Sequence, residues 1–564
     1  MRSLVVYIIV GLLCLSTGIS AQSKAEKNFK KLSAEILQNL QQYWPVHATD
    51  MGVHDYDGSF TDYSSGAVNK ERKTLRKYLA RLLKYKGVRL PRDMKIDRLL
   101  LTGNCQIANL KLYEKKLHTK NPNIYLNDAA DGLYFIMIRD YASPVEQLDF
   151  VIARMNALPR FLAQGETNLV DPPPIWLEQA RGNIANVIDL YKTIGVEMKT
   201  HFAERSGEID EALQRAVGAL NHFRGFLDRL QPGEPGSFAI GREYFNYILD
   251  NQHFFDFDAD SLLKIGENML AETQAEYDVA KAKLAAEGHL DKKTIFTPPS
   301  LSRSDVLDYY AWEVNAVRRF CLENELLTIP EGIGECNIKE TPKFLQGIIS
   351  GIAYQPAGPF GRGKTGFFYV SPIPENMTVE QKEDYYAKIH GRTFRGSVVH
   401  EAFPGHHLQL QLARRLSSAV RKWQMNNTLI EGWALYCEEM AYDLGLFSDN
   451  PARYLRVLRG IAFRAARIVV DVKLHTGQFS YDQAVNWMSE TMDIDTTFIK
   501  TEVLRYTADP GQPMSYLMGK LQILELRDKI KAREGEAFDL KSFHDRLLAE
   551  GSIPVSLIKN KMLR

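Results

Sequence analysis

Apolar residues recur at helical spacing through most of this chain, and that pattern limits the possible fold more than any other feature. The stretch RKTLRKYLARLLKYKGV, Arg72 to Val88, puts its leucines on one face and its basic residues on the other, with Gly87 as a C-terminal stop. VEQLDFVIARMNALPRFLAQGETNL (Val145 to Leu169) and IDEALQRAVGALNHFRGFLDRL (Ile209 to Leu230) continue in the same style. Loop signals fall at Asp171 to Trp176, Gln231 to Ser237 and Thr297 to Ser300. The pattern predicts a mainly α protein. A soft boundary near Gln231 to Ser237 divides an N-terminal helical half, residues 22–235, from a C-terminal half, residues 236–564, which carries the motifs. The two halves are also compatible with one continuous domain. No internal repeat is visible.

The balance of charge excludes some partners. With 45% apolar and 25% charged residues and a formal net charge of +1, nothing in the chain draws it to nucleic acid or to a charged membrane surface. Residues 1–21 read as a signal peptide: Arg2 is the basic start, Leu4 to Leu15 the apolar run, and Gly18, Ser20 and Ala21 the small residues at the cleavage site. That run is too short to span a bilayer, so no stable membrane span is expected and the product is periplasmic or secreted. Cys14, preceded by Gly11-Leu12-Leu13, makes a poor lipoprotein box. The remaining cysteines, Cys105, Cys321, Cys336 and Cys437, have no metal-site spacing and are expected as free buried thiols, although Cys321 and Cys336 are candidates for pairing.

One region departs from the helical habit. YQPAGPFGRGKTGFFYVSPIP, Tyr354 to Pro374, contains Phe367-Phe368-Tyr369-Val370, which predicts a short strand, and Pro372 and Pro374 point to a sheet edge. Gly358 to Thr365, GPFGRGKT, matches G-x-x-x-x-G-K-[ST] letter for letter. A P-loop, however, cradles phosphate by joining a strand to a helix whose N-terminus faces the anion. Here Gly366 and a strand-like run follow, so no nucleotide is expected and Lys364 should have no phosphate role.

The densest chemistry lies in SVVHEAFPGHHLQLQLARRL, Ser397 to Leu416. His400-Glu401 opens it as in H-E-x-x-H, but Pro404 stands where the second histidine should be, and His406 and His407 arrive late. In an unbroken helix neither would share an ion with His400, because seven residues rise about 10 Å and His406 points well round the axis. Pro404 lacks the N–H that would bond to the His400 carbonyl, and Gly405 accepts unusual backbone angles. Together they can loop out the extra residues and return a later histidine to His400. The third ligand is expected from NTLIEGWALYCEEMAYDLG, Asn427 to Gly445, where Glu431 lies 24 residues after His407 and 25 after His406. Glu438 and Glu439 are rivals, expected to be solvated, whereas Gly432 beside Glu431 would let another helix approach. His400, one of His406 and His407, and Glu431 then form a site for one Zn2+ ion, with Glu401 as the general base.

At these residues the chain resembles the domain-of-unknown-function 885 family of mostly exported bacterial proteins. HEAFPGHHLQ (His400 to Gln409), EGWALYCEE (Glu431 to Glu439), RYTADPGQPMSYLMG (Arg505 to Gly519) and the earlier ATDMGVHDYDGSFTDYS (Ala48 to Ser64) carry the resemblance over nearly the whole mature chain. It implies a large helical metallopeptidase-like fold with a central cleft and a small β element near the active site. The relatives it points to are zinc peptidases such as angiotensin-converting enzyme and thermostable carboxypeptidases. Leu408-Gln409 and the gap to Glu431 resemble the angiotensin-converting pattern and favour His407, whereas Gly405-His406 resembles the Gly-His of those enzymes and favours His406. The similarity also assigns an oxyanion donor to Tyr516, with Tyr506 as the alternative. His475 is a candidate contact that reads more simply as a helix-end residue. Arg464, Arg467 and Arg505 are candidates to clamp a substrate carboxylate, or structural ion-pair partners.

These readings combine into zinc-dependent hydrolysis of oligopeptides, with Glu401 taking a proton from zinc-activated water and the strand at Phe367 to Val370 offering an edge to the peptide. A peptide- or solute-binding protein on the same helical scaffold is the alternative. Glu401 separates the two, since only hydrolysis needs a base.

Overall fold

The computed structural model describes residues 23–139, 142–290, 305–342, 351–374, 377–390 and 393–563. The signal-peptide segment with Cys14, and the loop signal at Thr297 to Ser300, lie outside the described residues. Helices make up almost all the regular structure. Helix α1 (Lys24–Tyr43) starts where the Ser23 side chain accepts a hydrogen bond from the Glu26 amide, and it buries Phe29, Leu32, Ile36, Leu37 and Leu40 along one stripe. Helix α2 (Ser65–Leu83) covers most of the first predicted helix but ends before Gly87, with residues 84–87 forming a turn. Helix α3 (Pro144–Asn168) opens on a reciprocal capping box between Ser143 and Glu146. It runs through Pro159, which removes one ladder donor without ending the helix. Helices α4 (Pro174–His201) and α5 (Ser206–Arg229) complete the N-terminal bundle.

Helices α6 (Ala259–Ala286) and α7 (Val306–Glu323) lead to three short strands, β1 (Cys336–Glu340), β2 (Ile352–Gln355) and β3 (Gly366–Val370). The site-bearing helices follow: α8 (Arg395–Glu401), α9 (His406–Ala413), α10 (Asn427–Asp443), α11 (Arg453–His475), α12 (Thr496–Ala508) and α13 (Ser515–Glu534). Among the described residues no helix is long and apolar enough to cross a membrane.

The sheet corrects one expectation. Its order is β1-β3-β2, with β1 parallel and β2 antiparallel to β3, so the strand predicted at Phe367 to Val370 is central rather than an edge. Phe368 faces Ile338 on one side and Tyr354 on the other. Pro372 and Pro374 follow the strand, beyond Ser371, whose N–H donates to the Gly351 carbonyl, so they cost the ladder no donor. No peptide can add to β3. The P-loop look-alike runs into β3, not into a helix. Its Gly361 and Gly363 carbonyls accept hydrogen bonds from Arg414, so the loop turns acceptors towards a cation rather than N–H groups towards an anion.

The loop at Gln231 to Ser237 does not coincide with a boundary in the core. One apolar cluster joins Phe29, Ile36 and Leu101 to Val399, Trp433 and Phe543. Another joins Trp176 and Phe245 to Ile468, Met488 and Leu517, while a third stays within the bundle of α3, α4 and α5 and the segments before it. Cys105, Cys321, Cys336 and Cys437 are all free, the first two with thiols that burial pushes up to about 12.

Helices α10 and α13 cross at a pair of glycines. A Cβ on Gly432 would lie 2.5 Å from the Gly519 Cα, and one on Gly519 would lie 1.8 Å from the Thr428 carbonyl oxygen. Both obstacles are backbone, which cannot swing aside. Replacing Gly519 with alanine should therefore destabilise the chain by roughly 1–3 kcal/mol, although the same change in an exposed helix would stabilise it. Denaturant unfolding of Gly519→Ala checks this, and an unchanged or higher midpoint would contradict the close crossing.

Candidate metal centre

The site is built from a short, firmly held helix and a break. Arg395, the first residue of α8, donates from Nε to Glu313 of α7 at 2.6 Å, with only 5% and 1% of the two side chains exposed. A second guanidinium nitrogen donates to the Leu446 carbonyl. This pair fixes α8, whose last two residues are His400 and Glu401. Ala402 then leaves the helical region at φ −109° and ψ −91°. The Gly405 N–H turns back to the Val399 carbonyl at 3.1 Å, and a Cβ on Gly405 would lie 1.9 Å from the His400 carbonyl oxygen, so no larger residue fits. Trp433 of α10, fully buried, donates from Nε1 to the Pro404 carbonyl at 2.8 Å and pins the loop.

Helix α9 restarts at His406, which lies against His400 with ring centroids 4.6 Å apart. Glu431, in the second turn of α10, faces both. Its Oε2 is 3.4 Å from Nε2 of His400 and 3.4 Å from Nε2 of His406. The three donor atoms lie within 4.8 Å of one another. Among the described residues these three form the one such group able to hold a metal ion.

The fit to an ion can be tested on the donors. Glu431 Oε2 is buried and has no hydrogen-bond partner, and 3.4 Å is long for an N–H···O bond. An ion about 2.0–2.1 Å from each of two tetrahedral ligands would set those ligands about 3.4 Å apart. The electrostatics agree. Burial opposes a charge on His400, but the neighbouring carboxylates of Glu431 and Glu438 outweigh it and raise the pKa to about 10. Glu431, despite its own burial, is held well below the usual carboxylate range by His406 and His400. The site favours a positive charge at its centre. Two imidazoles and a carboxylate suit zinc.

Glu438 has a different place from the solvated one expected for it. Its Oε1 is 2.8 Å from His400 Nδ1, so it holds that ring with Nε2 turned to Glu431. The spacing Glu431 to Glu438 is two helical turns, which puts both carboxylates on one face of α10 and was legible in the sequence. Glu439 is not solvated either, since it pairs with the buried Lys520 of α13. His407 is the other correction. It is fully buried, its Nδ1 meets the Tyr354 hydroxyl at 2.9 Å, and burial lowers its pKa to about 4. Successive helical residues point about 100° apart, so His406 and His407 cannot face the same ion, and the break aims His406.

A cavity of about 790 Å³ reaches the group at His400. Its walls include His400, Glu401, Glu438, Tyr516, Glu502 and several arginines of α11. The Gly432–Gly519 crossing brings Tyr516 into it, one turn before Gly519. Burial and the charge of Glu431 raise the Tyr516 pKa, which keeps its hydroxyl protonated. Tyr506 is fully buried with its hydroxyl between Arg467 Nε, at 2.6 Å, and Glu502, at 2.8 Å. His475 ends α11 in the core, with Nε2 2.9 Å from the Tyr506 carbonyl. Arg464, Arg467 and Arg505 all line the cavity.

The geometry predicts which substitutions remove a metal. His400→Ala and His406→Ala should each bring zinc content close to zero after dialysis, whereas His407→Ala should keep it. Glu438→Gln should weaken zinc binding about 10–100-fold, since the ring it orients remains. Elemental analysis and chelator competition measure both. Retention of zinc by His406→Ala together with loss in His407→Ala would reverse the assignment.

The fold recurs in solved structures. A candidate lipoprotein of unknown function from Shewanella oneidensis superposes with a TM-score of 0.74 at 22% identity, over 96% of this chain and 100% of that one. A candidate lipoprotein from Colwellia psychrerythraea gives 0.74 at 19% identity, over 96% and 99%. No curated protein matches the chain. Residues 45–562 match one family model along nearly the entire chain, and the protein belongs to that family, described as bacterial protein of unknown function (DUF885).

Proposed function

We propose that this chain is a zinc-dependent peptidase that hydrolyses oligopeptides in an exported compartment. One observation carries the reading: His400, through which the group with His406 and Glu431 reaches the cavity, lines that cavity together with the adjacent Glu401 and with Tyr516. Ligands alone would suit a structural ion. A carboxylate next to the first histidine, in an open cavity, is what a hydrolytic site adds. On this reading the cavity would serve as the substrate cleft, and its volume suits a short peptide rather than a folded protein.

His400, His406 and Glu431 would hold the ion. Zinc, when bound, supplies Lewis acidity, polarising the scissile carbonyl and making water acidic enough to lose a proton near neutral pH. Glu401 accepts a proton from the attacking water as the new C–O bond forms at the carbonyl carbon. It then delivers that proton to the amide nitrogen, and the C–N bond breaks to leave a carboxylate and an amine. The Tyr516 hydroxyl donates a hydrogen bond to the carbonyl oxygen as negative charge develops there. Glu438 keeps the His400 ring from rotating during these charge changes.

Replacing Glu401 with glutamine keeps the shape and the three ligands but removes the proton acceptor. Glu401→Gln should bind one zinc per chain and bind peptides as the parent does. Its hydrolysis of a mixed peptide library should fall about 10²–10⁴-fold. Mass spectrometry of the digest, with metal analysis on the same samples, reads both. A zinc-loaded parent that cuts none of the library would sink the peptidase reading and leave the peptide- or solute-binding alternative.

A further inference from the structure

The cavity beside the metal group carries more positive than negative side chains. Arg453, Arg456, Arg459, Arg464, Arg467 and Arg505 line it, against Glu401, Glu438 and Glu502. Five of the arginines stand on α11, at spacings that place them along one side of that helix. Their partners differ. Arg467 is bound to Glu502 at 2.8 Å and to the Tyr506 hydroxyl, and Arg505 is bound to the same Glu502 and to Gln512. Arg459 donates to the Met492 and Asp493 carbonyls, and Arg453 to that of Thr393. Arg456 is exposed.

Arg464 stands apart. It is half-buried, and among the described residues it has no carboxylate within ion-pair distance. Its single hydrogen bond here is a long one, 3.3 Å, to the Gly460 carbonyl of its own helix. Its Nε is buried without a partner. A guanidinium has five donors in a planar fork that matches a carboxylate, so most of this one's capacity is unused. Its position relative to the metal group is fixed by two neighbours. The guanidinium lies 6.0 Å from the Tyr516 ring centre, and its charge acts on Glu438, the partner of His400. Tyr516 in turn is close enough to Glu431 to feel its charge. Arg467 covers the same Tyr516 ring at 4.5 Å, but it is already engaged by Glu502 and the Tyr506 hydroxyl.

We propose that Arg464 binds the free C-terminal carboxylate of the substrate, so that the site acts from the C-terminal end of peptides and not within them. The proposal rests on the peptidase reading and names its substrate class. A carboxylate is preferred over a larger anion because the free donors belong to one guanidinium, while Arg467 and Arg505 are held by Glu502. Glu438 and Glu401 stand on the metal side of the cavity and would repel an anion there, which directs the charged end of a peptide to the α11 wall.

The test separates binding from cleavage. Zinc-loaded Glu401→Gln protein is titrated calorimetrically with a pentapeptide as the free acid and as the C-terminal amide, and the titration is repeated with Arg464→Gln added. The acid should bind about 10–100-fold more tightly than the amide, and Arg464→Gln should bring the acid down to the level of the amide. With Glu401 intact, the acid should lose residues from its C-terminus and the amide should be cut at least about tenfold more slowly. Equal binding of acid and amide overturns the proposal, whether or not the parent hydrolyses peptides. Acid preference that persists undiminished in Arg464→Gln overturns it too, as does binding of neither peptide. Preferential binding of the acid, lost in Arg464→Gln, supports it even if the parent cuts neither, the outcome that counts against the peptidase reading alone.

Discussion

A carboxylate oxygen buried without a hydrogen bond is expensive, and the placement of Glu431 Oε2 governs the rest of this site. An ionised acid in the interior needs a cation, and the nearest groups are two imidazole nitrogens, each 3.4 Å away. One of those rings is backed by a second carboxylate, Glu438, and the other by the break that starts α9. Three glutamates therefore surround His400 if Glu401 is counted, and a dication held there would resolve the excess that a proton only partly offsets. Lys520 pairs with Glu439, a further acid of α10.

The break does more than correct a spacing. Looping out two residues lets Ala402 and Phe403 turn into the core, where Phe403 is 4% exposed and packs edge-on against His407. His407 is then held from its other side by Tyr354 of β2. The small sheet thus supports the second histidine helix through His407, while His406 faces Glu431 and His400. Trp433 ties the loop to the helix that supplies Glu431. Two ligand-bearing segments and their backing are joined by one indole hydrogen bond and one glycine pair, which accounts for a densely packed site on helices only 7 and 8 residues long.

Local patterns in the sequence reported what local chemistry decides. The 3.6-residue periodicity located α3 and α5 to within a few residues, and Pro404-Gly405 signalled a break because only backbone arguments were needed. Gly432 signalled a close helix approach for the same reason, although its partner, Gly519, was not legible without the fold. Features set by distant partners were misread. Phe367 to Val370 looked like an edge since the prolines are near in sequence, whereas edge or centre depends on where β1 and β2 pair. His406 and His407 could not be separated, because the direction of each side chain follows from the angles at Ala402 and Gly405. Glu438 was legible by its two-turn spacing from Glu431, but assigning it required knowing that the face of α10 bearing Glu431 is turned inward.

The two sides of the cavity have opposite electrical character, and Tyr516 joins them. Beside the metal group, His400, Glu401 and Glu438 favour a cation; on the α11 wall, arginines outnumber acids. Arg467 is held by Glu502 and the Tyr506 hydroxyl and covers the Tyr516 ring, so that ring is kept in place by a guanidinium whose own position is fixed. The same Tyr516 ring feels the charge of Glu431 from the other side. In the proposed reaction a polarity of this kind would orient a dipolar substrate before any bond changes, its electron-rich carbonyl towards the metal group and its anionic end towards the wall. Orientation would then come from the field of residues fixed by packing, and the proposed mechanism would leave only the proton transfers to Glu401 and the hydrogen bond to Tyr516.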